Sequence, residues 1–155
     1  MVQKKDKRIN LHLGCGKRNI PGFINIDKAN YKHIHYTRNV DNLSIFKNNS
    51  VDMIYASHVL EYFDIHETKK VLREWKRVLK KGGLLRLSVP NIQALIQVYK
   101  KTKNIEKIIG PLFGRMKSGK KIIYHKYVHD YMSLTKILKS LKFRNIKKFN
   151  WKNTF

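Results

Sequence analysis

Gly14 and Gly16, on either side of Cys15, follow the apolar run Leu11-His-Leu13, and Asp27 closes the next one, Phe23-Ile-Asn-Ile26. This spacing reads as a strand, a glycine turn and a second strand ending in a carboxylate, which is the frame of a nucleotide pocket. Glycine lets the turn adopt positive φ and come close to a ligand, because no Cβ stands in the way. A carboxylate at the carboxyl end of the second strand can accept both hydroxyls of a ribose. Three histidines add proton chemistry: His58 after a later apolar run, and His125 and His129, the last beside Asp130. Imidazole titrates near ~6.5 and so exchanges protons at neutral pH.

Such residues need elements to hold them. Residues 9–13 and 23–26 read as the first two strands, with Pro21-Gly22 turning between them. The short stretch from Lys17 to Ile24 leaves room for a turn or two where a crossover helix would stand. Residues 33–40 are a weak third strand and 51–56 a strong fourth. In residues 66–81, Val71, Leu72, Trp75, Val78 and Leu79 share one helical face, and Gly82-Gly83 are expected to stop the helix. Residues 84–89 form a fifth strand ended by Pro90. Residues 92–100 form a helix with Leu95, Val98 and Tyr99 inward, and residues 133–141 another with Leu134, Ile137, Leu138 and Leu141 inward. Residues 145–149 are expected to be a last strand. The alternation predicts an α/β fold, a Rossmann-like, doubly wound and mostly parallel sheet covered on both faces, with the last strand very short or truncated.

At 155 residues the chain is expected to be a single domain over 1–155. Its 34 Lys and Arg against 10 Asp and Glu give a net charge of +24, which suits a polyanionic partner or substrate, nucleic acid or acidic saccharide. A codon bias toward Lys, Asn and Ile would give the same composition. Between residues 100 and 126 the helical pattern breaks, with nine basic residues against Glu106 alone, and Gly110-Pro111 and Gly114 read as hinges of a basic lid. Cys15 is the one cysteine, so no intrachain disulfide forms and a reducing, cytoplasmic location is expected. No apolar run of ~20 residues suggests a membrane span, and no spacing suggests a metal site.

Nicotinamide dinucleotides and S-adenosylmethionine both use a glycine turn of this kind. The dinucleotide fingerprint wants a third glycine at position 19, where this chain has Asn19 next to Arg18. The run from Asn48 through Ser57-His58-Val-Leu-Glu61-Tyr62, and the later Leu72-Arg-Glu-Trp-Lys-Arg-Val-Leu79 to Gly82-Gly83 and Ser88-Val-Pro-Asn91, point elsewhere. Taken with the glycine turn and Asp27, they resemble class I S-adenosylmethionine-dependent methyltransferases over residues 9–149. The resemblance is strongest to small methyltransferases often linked to polysaccharide loci.

That resemblance implies S-adenosylmethionine as cofactor, with S-adenosylhomocysteine as product. Gly14, Cys15 and Gly16 would pass under its methionine and ribose portion, and Asp27, with Lys28 beside it, would take the ribose hydroxyls. Asp41 would accept from the adenine amino group with Asn42 and Leu43 flanking the ring, and Ser57 and His58 would line the pocket. Three positions depart from the family pattern: His12 replaces an acid, Arg18 a glycine, and Tyr62 the histidine of Leu-Glu-His. As general bases for a hydroxyl acceptor the candidates are His125 first, between Tyr124 and Tyr127, then His58 and His129. The Asn/Asp-Pro-Pro-aromatic and Pro-Cys motifs of base-modifying methyltransferases are absent. Other readings remain: a small-metabolite methyltransferase, or a basic nucleic-acid-binding module on a degenerate methyltransferase fold. An unpaired sheet edge would leave room for a second subunit.

Overall fold

The computed structural model describes residues 8–118 and 121–150. Five strands, β1 (Asn10–Leu13), β2 (Ile24–Asp27), β3 (Tyr36–Thr37), β4 (Val51–Ser57) and β5 (Leu79–Ser88), form one parallel sheet in the order β3-β2-β1-β4-β5. The order reverses between β1 and β4, where the two crossovers leave in opposite directions and open a crevice at the strands' carboxyl ends. Leu13 sits beside both Ile26 and Ala56, and Ser57 beside Ser88, so these ends line up.

Side-chain alternation assigns the sheet's two faces. Leu11 and Leu13 join Ile26, Ile54, Ala56 and the buried face of helix α1 (Ile65–Val78) in the main core, which also receives Ile137 and Leu138 of helix α4 (Tyr131–Ser140). The opposite face carries His12, with Tyr55 and Phe23 against its ring and Ile20 alongside. Helix α1 starts at a capping box: Asp64 Oδ1 accepts from the N–H groups of His66 and Glu67 at 2.8 Å each, and Glu67 Oε2 accepts from Asp64 N–H at 2.8 Å.

Five expectations need correction. The helix over 66–81 already ends at Val78, and Gly82-Gly83 belong to β5. Leu79 is buried in the ladder opposite Val51, and the N–H groups of Asn49 and Ser50 take the carbonyls of Arg77 and Val78. Tertiary pairing, not a glycine stop, therefore satisfies the helix end, and the glycines fall in the irregular stretch before Met53 pairs with Leu84. The third strand shrinks to Tyr36–Thr37 because the His35 ring Nδ1 accepts the Asn25 N–H at 3.0 Å, which diverts a ladder donor.

Residues 145–149 form no strand, since Lys142 and Asn145 both have positive φ and break the extended repeat. Helix α2 (Ile92–Thr102) buries none of its residues, and Val98 and Tyr99, expected inward, are exposed. Residues 100–126 are also more ordered than a broken pattern implied. They hold the end of α2, helix α3 (Glu106–Phe113) and the antiparallel ribbon β6 (Met116–Ser118) with β7 (Lys121–Ile123); Gly110-Pro111 lie inside α3. Between β1 and β2 there are only turns.

Candidate active site

The crevice between β1 and β4 opens on the glycine turn. Gly14 has φ +62°, and its N–H donates to Ile26 O at 2.9 Å; a Cβ there would stand 2.5 Å from Val59 Cγ2. Gly16 has φ +51°, and nothing lies within 4 Å of where its Cβ would be, so this side of the turn is open to a ligand. Asp27 ties the turn to β2: Oδ2 accepts from Gly16 N–H and Oδ1 from Ala29 N–H, each at 2.8 Å. Each carboxylate oxygen has two lone pairs, so one on each is left for a further donor. His33 Nε2 donates to Gly16 O at 3.0 Å and fixes the turn from its other side. Lys28 is exposed beside it.

Beneath the turn, His12 Nδ1 and Asn25 Oδ1 are 3.1 Å apart, and Asn25 Nδ2 donates to Asn19 Oδ1 at 2.7 Å and His33 O at 3.1 Å. Burial lowers the His12 pKa to about 4, so a neutral imidazole occupies the position of the family's acid. Burial, assisted by Asp27, pushes the Cys15 thiol up to about 11, which makes it an unreactive packing residue.

Asp41, Asn42 and Leu43 ride on a loop that α1 holds in place. Trp75 Nε1 donates to Val40 O at 2.8 Å, Glu74 Oε1 accepts from Leu43 N–H at 2.8 Å, and Arg77 Nη2 donates to Leu43 O at 3.1 Å. Asp41 is exposed, Asn42 Oδ1 accepts from Ser44 N–H at 3.2 Å, and the Leu43 side chain is fully buried in the main core.

Past β4, Ser57 Oγ meets Ser88 Oγ at 2.8 Å, and His58 turns with φ +56°. The His58 ring is 63% exposed, with Nδ1 2.9 Å from Glu61 Oε1. Glu61 can only accept when ionised, so Nδ1 carries the proton and Nε2 is left as the acceptor toward solvent. The hydrogen bond to Glu61 holds the His58 pKa above its ordinary value.

Glu61 is the residue that sequence reasoning passed over. Its side chain is 1% exposed, its Oε1 lies 4.0 Å from His125 Nε2 as well, and its Oε2 has no hydrogen-bond partner. Its backbone carbonyl accepts from Lys126 N–H at 2.7 Å and Tyr127 N–H at 3.2 Å, so the segment 125–129 is docked on the same residue. The signal was an acid inside the apolar run Val59-Leu60, three residues after a histidine in a 3₁₀ turn, Leu60–Tyr62.

The structure brings His58 and His125 to this carboxylate and leaves His129 within reach of its charge. The His125 side chain is 8% exposed, with Nδ1 3.2 Å from Leu112 O and the ring edge-on to Tyr62. His129 is 1% exposed with neither ring nitrogen bonded, and burial lowers its pKa. Asp130 caps α4 by accepting from Ser133 N–H at 2.7 Å. Among the described residues no cluster is arranged to hold a metal ion, and no helix is long and apolar enough to cross a membrane.

Residues 15–87 match the family model of a methyltransferase domain. No curated protein matches the chain in sequence. Among solved structures, an S-adenosylmethionine-dependent methyltransferase from Archaeoglobus fulgidus superposes with TM-score 0.62 at 18% identity, over 92% of this chain and 64% of that one. A Methanosarcina mazei S-adenosylmethionine-dependent methyltransferase gives 0.59 at 18%, over 87% and 79%. A Thermotoga maritima protein described as a possible histamine N-methyltransferase gives 0.54 at 18%, over 86% and 62%. The chain thus spans 64% and 62% of the length of the Archaeoglobus and Thermotoga proteins. The matched segment contains Gly16, Asp27 and His58 and runs through α1 to β5, and the sheet around it is the one these structures share, so the chain has the Rossmann-like fold of class I S-adenosylmethionine-dependent methyltransferases.

Proposed function

We propose that this chain transfers a methyl group from S-adenosylmethionine to an anionic or carbohydrate-linked acceptor carrying a hydroxyl. The observation that supports this most directly is the clamp of Asp27 on Gly16, with spare carboxylate lone pairs beside an open glycine. Those groups fit the cofactor: Asp27 suits its ribose hydroxyls, the Gly14–Gly16 turn its close approach, and Asp41 on its α1-held loop its adenine amine. When bound, the cofactor supplies an electrophilic methyl group on a sulfonium sulfur.

The chain's own residues then have to align an acceptor and take its proton. His58 suits the second task better than His125 or His129, because its ring is exposed at the end of β4 with Nε2 free to accept. Glu61 fixes the tautomer and offsets the imidazolium charge that forms on proton uptake. His125 and His129, nearly enclosed, support the segment that packs on Glu61. A positioned base of this kind contributes typically ~10²–10⁴-fold to rate. The lysines of residues 100–126 are suited to gripping phosphate or carboxylate groups of the acceptor, and the single buried cysteine fits work in a reducing, cytoplasmic setting.

Calorimetric titration with S-adenosylmethionine and S-adenosylhomocysteine tests the reading. Micromolar binding that Asp27→Ala loses is the expected result, followed by methyl-label transfer into saccharide or nucleic-acid pools that His58→Gln reduces. No heat with either ligand overturns it.

A further inference from the structure

Beside the lysines suited to the acceptor, residues 92–124 carry exposed apolar side chains that the proposed reaction does not use. Helices α2 and α3 pack against each other, yet α2 buries nothing and α3 buries only Ile108. Ile105, the N-cap of α3, and Ile109 and Phe113 on it recur at i, i+4 and i+8 and are all exposed, Phe113 by 54%. On α2, Ile96 and Tyr99, at i, i+3 spacing, are exposed as well. Because Ile108 is the residue that buries, the α3 stripe lies outside the contacts that hold α3 in place.

The polar residues around this stripe carry almost one sign of charge. Lys101, Lys103, Lys107 and Lys117 are exposed around it, and Glu106 is the single acid between residues 92 and 124. Leaving large apolar side chains in water is costly at roughly 25 cal/mol per Å², so a contiguous set of them marks a surface with a partner. Three partners differ in what they need. A second copy would bring another chain of net charge +24 against the same basic face, and like charges repel. A nucleic acid uses the lysines but has no use for an Ile-Ile-Phe stripe, since phosphates are met by cations and bases by flat aromatic faces. An anionic lipid surface uses both, taking the apolar side chains into the headgroup and acyl boundary and pairing its headgroups with the lysines.

We propose that the α2–α3 face docks this protein on the surface of a bilayer rich in anionic lipid, with Ile105, Ile109 and Phe113 inserted and the surrounding lysines on the headgroups. This is peripheral binding, consistent with the lack of a spanning helix among the described residues. The same segment runs on through β6 and β7 to His125, which reaches Glu61 beside His58. The docking face and the candidate base are thereby joined through one stretch of chain.

The test uses the full chain and sedimentation with vesicles of phosphatidylcholine alone or mixed with phosphatidylglycerol. The expected result is binding only to the mixed vesicles, weakened by salt and lowered about tenfold or more by Ile105→Ser with Phe113→Ser. In a separate Phe113→Trp variant, tryptophan emission is expected to shift to the blue on mixed vesicles, a readout of insertion that needs no loss of function. Failure to bind either vesicle overturns the proposal. Binding that salt abolishes but the double serine variant leaves unchanged, without a blue shift, also overturns it and points to a polyanion such as nucleic acid. A dimer by light scattering that the double variant dissociates overturns it in favour of a second copy. Cofactor titration is independent of all three readouts.

Discussion

Gly114 stands so close to the His125 ring that a Cβ built on it would lie 2.2 Å from Nε2. That glycine also has φ +51°, caps α3 and receives no relief from a flexible neighbour, since His125 is itself held between Leu112 O, Tyr62 and Glu61. The loop after α3 is therefore shaped around one imidazole, and the imidazole seats the segment 125–129.

Gly114→Ala is expected to destabilise the fold by about 1–3 kcal/mol, from left-handed strain plus the displaced ring. Thermal unfolding measures the loss. Loosening of the segment 124–129 in amide hydrogen exchange, with β1 and β4 still protected, would locate it.

Asp27→Asn keeps size and shape but leaves one amide NH₂ facing a backbone N–H, of Gly16 or of Ala29. A charge-assisted hydrogen bond contributes about 1.5–3 kcal/mol, so S-adenosylhomocysteine affinity should fall by about tenfold or more. Unchanged calorimetric affinity would remove Asp27 from the pocket.

Glu61→Gln removes the partner that raises the His58 pKa. The His58 titration, followed by NMR with His58→Gln for assignment, is expected to move down toward the ordinary histidine range, and the Nδ1–H tautomer should lose its preference. The sign for stability follows: the folded pKa is raised, so the His58–Glu61 contribution is present below the unfolded value and is lost as pH rises through the folded one. A wild-type His58 that titrates at or below ~6.5 would contradict the dyad.

His12 behaves in the opposite sense. Its pKa falls from 6.5 to about 4 on folding, chiefly through burial. Above 6.5 both states are neutral, and stability is whole; between 6.5 and 4 only the unfolded chain takes the proton, so stability falls as pH falls. The accumulated loss is on the order of 3 kcal/mol. His12→Gln should flatten urea-measured stability across that window, and an unaltered slope would count against a buried neutral imidazole.

Trp75→Phe isolates the link between the core and the loop of Asp41. It deletes the indole donor to Val40 O while filling most of the same fully buried site. An expected loss of about 1–3 kcal/mol comes from the unpaired carbonyl and the cavity together. Weaker cofactor binding in the same variant would show that the loop contributes to the pocket.

The glycine turn, the β1–turn–β2 frame and the amphipathic face of α1 were legible in the sequence because each is a local rule. Positive φ selects glycine, and helical spacing selects Val71, Leu72, Trp75 and Val78. The same local reasoning failed where a long-range partner competes. Leu79 left its helix for a place opposite Val51, a side chain of His35 displaced a ladder bond, and positive φ at Lys142 and Asn145 broke the extended repeat that residues 145–149 would need as a strand. The sequence by itself determined the strand–turn–strand frame, its acid at the strand end and the surplus of positive charge. Only the tertiary structure decided that Glu61 collects His58 and His125, with His129 within reach of its charge, and that α2 and α3 leave apolar side chains outside. Residues 58 to 129 meet by chain crossing, and burial is a property of neighbours that no periodicity encodes.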